Sequence, residues 1–532
     1  MQESDIDLKA ERRAEEKSDI YLAAIDAGTT GERVAIFGLE GRVVAWKHLE
    51  HASFYPKPTW IEQDAEDWWR NVCQASKAVL REARRKGITP EMIVGVSVTN
   101  QRETIIPVDK DANPLRRAII WQDRRAIPQC KRIRESIGED SVYETSGLTV
   151  DPYFSAPKIR WIKENQPEVY QKTFKFLLVH DYLAAKLSEV YVTGWDNASR
   201  TMLFDIKRLS WSDFLLGSIG IDRDKMPETS APGEVMGEVT RSAAKSTGLL
   251  EGTPVVCGGG DQQCGALGVG VTRPGRIKAT TGTGTFMLAY LENPSLDPKK
   301  RVLCSSHCIA GSWVQEASIF STGIIYRWVR DQFSHHQKAL AETRGVDPYS
   351  LLNEEAAEAP AGSRGVMVIP HFVGAGAPYW DPYTRGVIAG LALGHTRKEL
   401  IRAILEGIAF EIRKNIEVMR ELGISVEEMR VTGGAARNPS FNQIQADVYG
   451  IPVLKGEVEE STALGCAILA AVGVGAYKSI SEAAENMIHI SGRYEPNPQN
   501  TELYDKMYTI HKKIYEALDK AGVYKDLADL GI

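Results

Sequence analysis

The sequence predicts an α/β protein made of two similar halves with a cleft between them. Three observations predict it. A strand–glycine turn–strand unit opens at residue 21, a related unit returns at residue 275, and stretches of helical periodicity follow. At 532 residues the chain exceeds the ~100–150 of a common single domain, so more than one core is expected. Two such units about half a chain apart point to a duplicated architecture.

The elements read as follows. Residues 1–20 hold seven acids and four bases with no apolar centre, so they form a charged tail and no secretory signal. Tyr21–Ile25, Val34–Phe37 and Val43–Trp46 are apolar runs separated by glycine-containing turns, the pattern of a strand meander. The segment GRIKATTGTGTFMLAYLE repeats it, with a short strand, a Gly/Thr turn and the run Phe286–Tyr290. GALGVGVTRPG, near residue 270, reads as a loose boundary that divides residues 21–270 from 271–532. Leu400–Leu422 is predicted helical, because Ile401, Ile404, Leu405, Ile408, Ile412 and Met419 share one face, and Gly423 is placed to end it. Asn438 and Pro439 are an N-cap and a first-turn residue, so another helix begins there. Trp68 and Trp69 are read as packing residues.

Composition narrows the function classes. Lys+Arg 64 against Asp+Glu 70 leaves a net charge of −6, which lacks the basic excess of a nucleic-acid binder. Hydrophobic content of 43% and charged content of 25% are those of a globular chain. No apolar stretch approaches the ~18 residues of a membrane span, and seven scattered cysteines make no disulfide framework. A soluble, cytoplasmic protein is expected.

Three loops and one carboxylate carry the chemistry. Asp26-Ala27-Gly28-Thr29-Thr30 offers backbone N–H groups and hydroxyls that suit phosphate oxygens, with an acid that suits magnesium, directly or through water. Thr280–Thr285 offers the same donors without the acid; either loop is equally a plain hairpin turn. Neither is a Walker A loop. Thr432–Pro439 places paired glycines before a capped helix, where a flat ligand can lie on the backbone. Asp261 follows three glycines at the end of an apolar stretch; it is either a turn or cap residue, or a base presented to a cleft. Arg102-Glu103 can donate to and accept from hydroxyls, or form a surface ion pair. Cys304, His307 and Cys308 fall short of the four ligands of a structural zinc.

Together the strings IDAGTT, YPKPTWIEQD, TNQRETI, AIIWQDRR, GLTVDPYFSAPKIRW, VTGWDNASRTMLFDI, GGGDQQ, TGTGTF, GAGAPYWDPYTRG, VTGGAARN and ESTALGCAILA resemble the FGGY carbohydrate kinase family, from about Tyr21 to about Tyr477. The NQRE string is similar to that of the family's glycerol kinases, whereas its pentulose kinases typically differ there. The resemblance implies two actin-like (ribonuclease H-like) domains closing on MgATP and a polyol, with residues 21–270 taking polyol and phosphate and 271–532 the nucleotide. By position, Asp261 matches the catalytic base and Asp26 the acid near the magnesium ion. Arg102, Glu103, Tyr153, Asp261 and Gln262 match polyol contacts, and Trp121 and Phe286 the aromatic walls. Thr30, Arg33, Thr283, Gly323, Gly434 and Asn438 match nucleotide contacts, with the Thr29 hydroxyl beside them in the first loop.

The chain departs from the family around the nucleotide. DAGTTGER stands where DQGTTSSR is usual, Arg327 replaces a nucleotide-contacting Gln, and Thr432 replaces an Asp. The departures around Ala27, Gly31 and Glu32 are expected to alter the phosphate loop. The implied activity is ATP-dependent phosphorylation of a small polyol, glycerol to sn-glycerol 3-phosphate first. A kinase for erythritol, xylulose or a similar sugar is the alternative within the family, and a non-catalytic actin-like nucleotide-binding protein the alternative outside it. The implied partners are the polyol and MgATP, with neither nucleic acid nor membrane insertion, and with homodimer and homotetramer both open.

Overall fold

The computed structural model describes residues 20–530, so the charged segment expected at the start lies almost wholly outside the described residues. The described chain begins with the predicted meander: β1 (Tyr21–Ala27), β2 (Gly31–Gly38) and β3 (Val43–Glu50), each antiparallel to the last. Helix α1 (Ala65–Arg85) starts where the Asp64 side chain accepts from the Glu66 N–H, and carries Arg84 and Arg85 in its last turn, both favourable to the helix dipole. It leads into β4 (Ile93–Asn100), parallel to β1. β5 (Val235–Glu238) and β6 (Pro254–Gly260) complete a six-stranded sheet of order β5-β6-β4-β1-β2-β3. Helix α2 (Asp261–Gly268) follows directly.

The second half repeats the plan. β7 (Gly275–Thr281), β8 (Thr285–Leu291), β9 (Leu303–Ser306) and β10 (Trp313–Ile319) are antiparallel. Helices α3 (Gly323–Phe333) and α4 (Arg397–Glu421) lead to β11 (Val426–Thr432), parallel to β7. Helix α5 (Pro439–Tyr449), β12 (Val453–Gly456), helix α6 (Ser461–Gly473) and β13 (Ile490–Tyr494) finish a seven-stranded sheet of order β9-β10-β8-β7-β11-β12-β13. β1 and β7 occupy the same place, each with an antiparallel hairpin partner on one side and a parallel crossover strand on the other. α4 contains all six residues of the predicted stripe, starts three residues earlier and ends at Glu421, with Leu422 as its cap and Gly423 following at φ 78°. Asn438 caps α5 by accepting from the Phe441 N–H at 3.2 Å.

Strand alternation sorts the first sheet into two buried faces. Ala23, Ile25, Val34 and Ile36 face Trp68, Val72 and Val79 of α1. Leu22, Ala24, Ala35 and Phe37 face Leu464, Ala467 and Ile468 of α6. A strand covered on both sides reads as an unbroken apolar run, which is why β1 stood out. Trp68 is fully buried and Trp69 partly so. All seven cysteines are unpaired, and no helix among the described residues is long and apolar enough to cross a membrane.

One expectation fails. GALGVG was read as loose, yet Gly265–Gly268 lie inside α2 and are buried. Their glycines serve contact, since α6 crosses α2 there and covers the first sheet from the second half of the chain. A Cβ on Gly465 would sit 1.9 Å from the Cys264 carbonyl oxygen, and one on Gly268 1.8 Å from that of Ser461. Gly465→Ala should therefore destabilise the protein. The clash costs roughly 1–3 kcal/mol, more than the ~1 kcal/mol alanine gains in helix propensity. Gly217→Ala, in a helix with nothing within 4 Å of the new carbon, should raise the thermal midpoint or leave it unchanged. A Gly465→Ala protein that melts with wild type would show that the crossing has slack.

Candidate active site

The first loop is a tight turn between β1 and β2. The Gly28 N–H donates to the Gly31 carbonyl at 3.0 Å. The Thr29 carbonyl accepts from Gln63 Nε2 at 2.8 Å, and the Thr29 hydroxyl from Trp121 Nε1 at 3.0 Å. Trp121 is thus a strut to the loop as well as an aromatic surface. At the end of β1, Asp26 lies opposite Arg33 in the ladder, 3.7 Å from its guanidinium, and Arg33 is also paired with Glu460. Burial pushes the Asp26 carboxyl up to about 7; Arg33 opposes this and the nearby Asp261 charge adds to it. Two carboxylates in repulsion beside phosphate-type donors are a donor set that fits a hard divalent cation.

The structure brings Arg102, Glu103 and Asp261 together, but not as a surface pair. The Arg102 and Glu103 side chains are 2% and 1% exposed. Their strongest partners were not foreseen. Arg102 makes a bidentate pair with Glu316 of β10 at 2.7 and 2.8 Å, and Arg200 Nε donates to Glu103 at 2.6 Å. Arg200 also lies 3.4 Å from Glu316. Two guanidiniums and two carboxylates balance within one buried cluster drawn from both halves of the chain. Burial alone would raise the Glu316 carboxyl, but Arg102 and Arg200 bring it down to about 2. Burial likewise opposes the charge on Arg102, and Glu316 and Glu103 overcome it.

Asp261 borders this cluster 3.4 Å from Arg102 Nε, and its side chain, 30% exposed, is the part that opens to the cleft. Burial raises its carboxyl, while Arg102 and Lys278 pull it down. Its position is fixed from behind, where Asp196 accepts from the Gly260 N–H at 2.6 Å at the β6–α2 junction. Lys278 of β7 donates to the Gln262 carbonyl at 2.9 Å and side-chain oxygen at 2.8 Å, and burial brings its ammonium down to about 7. Glu103 has φ 62°, a left-handed conformation costly for a residue with a Cβ. Ser155 and Lys158 hold it by donating to its carbonyl, each at 3.1 Å. Tyr153 stands edge-on to Trp121 with centroids 5.6 Å apart. Phe286 is half-buried on β8.

The remaining loops converge on the second lobe. The Thr283 carbonyl accepts from the Thr322 and Ile324 N–H groups, and a Cβ on Gly323 would sit 2.1 Å from the Gly282 oxygen. Gly433 packs against Thr281, while Gly434 is exposed with open space around it. Besides capping α5, Asn438 donates to Asn353 at 2.8 Å. Arg327 is exposed on α3. Two departures prove to be internal. The Thr432 hydroxyl bonds Ser461 at 3.0 Å. Glu32, expected to alter the phosphate loop from the nucleotide side, has a fully buried side chain turned toward α1, because consecutive strand residues point to opposite faces. His307 of the Cys304–Cys308 segment contacts the Val271 carbonyl and the Cys308 N–H, so backbone occupies both ring nitrogens.

Glu316 did leave a signal, since it is the one charged residue of a fully buried strand, and Lys278 is a buried charge within β7. Burying such a charge demands a partner, and here the partners are site residues.

Comparison with known proteins agrees with this arrangement. Residues 21–268 match the N-terminal domain model, and 277–474 the C-terminal domain model, of the FGGY family of carbohydrate kinases. The chain is 38% identical over 504 residues to glycerol kinase 2 of Thermotoga maritima, covering 93% of this chain and 97% of that protein. It is 32% identical over 495 residues to the xylulose kinase of Bacillus subtilis, covering 93% and 96%. The crystal structure of the Rhodospirillum rubrum xylulose kinase superposes with a TM-score of 0.85 at 26% identity, over 94% of this chain and 99% of that one. The fold is thus that of two actin-like domains, and the chain belongs to the FGGY family of carbohydrate kinases.

Proposed function

We propose that this chain transfers the γ-phosphoryl group of ATP to a small polyol, and that glycerol is its substrate. The observation that carries the reading is the buried Arg102–Glu103 pair beside Asp261, a set that can hold neighbouring hydroxyls while one of them loses its proton. In this reading Arg102 donates to one hydroxyl and Glu103 accepts from another, with Tyr153 and Gln262 beside them and Trp121 and Phe286 against the carbon face. Asp261 accepts the proton of the attacking hydroxyl. Thr29, Thr30, Arg33 and Thr283 face the phosphates. Gly323, Gly434, Asn438 and Arg327 take the nucleoside. Asp26 would hold the magnesium ion that accompanies ATP, which when bound neutralises phosphate oxygens. Closure of residues 21–270 on 271–532 excludes water as a competing acceptor. Such a kinase draws on the cytoplasmic ATP pool, which is where we place it.

The 32% identity to a xylulose kinase makes a ketose the competing substrate class. A panel of glycerol, erythritol and xylulose with MgATP decides between them. Glycerol should give the highest kcat/KM, and preference for a ketose would overturn the glycerol assignment.

Two variants test the roles. Asp261→Asn should fold and bind MgATP while losing roughly 10²–10⁴-fold in kcat, the usual worth of a general base. Near-normal turnover would remove Asp261 from the chemistry. Glu316→Gln should lower kcat/KM for the polyol by about 10–100-fold, because Arg102 loses a charge-assisted pair worth ~1.5–3 kcal/mol. The KM for ATP should stay within about two-fold, as Glu316 contacts no proposed nucleotide residue. An equal effect on both substrates would mean that Glu316 merely supports the fold.

A further inference from the structure

Glu32, one of the departures in the first loop, leads to a buried assembly beneath it. Glu32 Oε1 lies 2.8 Å from His51 Nδ1, and Oε2 accepts from Asn71 Nδ2 at 2.8 Å. The other ring nitrogen, His51 Nε2, lies 3.2 Å from the Thr29 carbonyl oxygen. The two side chains are 1% and 0% exposed. Both nitrogens of the ring therefore face acceptors, whereas a neutral imidazole has one N–H. Satisfying both contacts takes two protons across Nδ1, Nε2 and the Glu32 carboxyl. The states that qualify are imidazolium with carboxylate and imidazole with carboxylic acid.

The surroundings favour keeping that extra proton. Burial works against a charged His51, but Glu32 outweighs it and the ring stays protonated to higher pH than usual. Burial raises the Glu32 carboxyl as well, with His51, Asn71 and His48 opposing. The other groups around the pair are Gln63, Asp26 (which feels the Glu32 charge from the end of β1), and Trp68 of α1, edge-on to the His51 ring at 6.2 Å. In a planar trans peptide the Thr29 carbonyl and the Thr30 N–H point in opposite directions. Holding the oxygen from below thus aims the N–H away from the core.

We propose that His51 and Glu32 are positioning residues for phosphate binding: a shared proton lets His51 grip the Thr29 carbonyl and so orient the Thr29–Thr30 peptide. This rests on the reading of that turn as a phosphate site. His51→Ala should raise the KM for MgATP and weaken MgADP in titration calorimetry by about five- to ten-fold, the worth of one charge-assisted contact, with the polyol KM unchanged. In wild type the KM for MgATP should climb at alkaline pH as the proton leaves. Glu32→Gln is the sharper test. Its amide can donate to Nδ1 and leave a neutral ring with its N–H on Thr29, so wild-type KM should persist at neutral pH while the alkaline climb disappears. Unchanged nucleotide binding in His51→Ala, or an alkaline limb in Glu32→Gln identical to that of wild type, overturns the proposal. If His51→Ala fails to fold, the Glu32→Gln profile decides alone. Wild type without ATP-dependent phosphorylation of any polyol or sugar overturns the phosphate reading and this inference together, whereas active wild type with indifferent variants overturns the inference only.

Discussion

A guanidinium removed from water must be neutralised at close range, and the Arg102–Glu316 pair meets that requirement across the two lobes. Arg102 follows β4 in the first sheet, while Glu316 sits in the middle of β10 in the second. The closed arrangement is therefore held by more than apolar contact, and its charged members are the groups that line the candidate polyol site. Lys278 extends the logic, since it is buried only because Gln262 and Asp261 lie beside it.

The two sides of the cleft use different materials. The side proposed for the polyol is built of charged side chains whose positions are fixed by one another. The opposite side is built largely of backbone: the Thr283 carbonyl, the close approach of Gly323 to Gly282, and the capped start of α5. Side-chain networks distinguish hydroxyl patterns because an unpaired buried group is costly. Backbone turns suit phosphates, whose oxygens are alike.

What the sequence made legible follows from range. The β1–β2 turn, the α4 stripe and the Asn438 cap are set by neighbours a few residues away, and they were readable. Asp261 was readable because its glycines precede it directly. Glu316 was legible only as a charge in an apolar-rich strand, and Arg200 not at all, since their partners lie some 100 to 200 residues off and nothing local marks the pairing. Glu32 was legible as a departure in the first loop, but its burial and its contacts with His51 and Asn71 were not, because those partners lie about 20 to 40 residues away. The glycines of α2 were misassigned because a loose loop and a tight helix crossing share a composition. Helix contact at backbone distance is a tertiary fact.

That crossing also orders the birth of the molecule. α6 is the cover for one face of the first sheet, and it is made about 190 residues after α2 ends. At ~5–20 residues per second on the ribosome, the face formed by Leu22, Ala24, Ala35 and Phe37 goes without its cover for roughly 10–40 s counted from the end of α2. During that interval the first lobe is a half-clad sheet, open to a holding chaperone or to a neighbouring nascent chain. Only when Gly465 packs on Cys264 is the first sheet covered on both faces, so the lobe of residues 21–268 is completed by a helix from the other half of the chain.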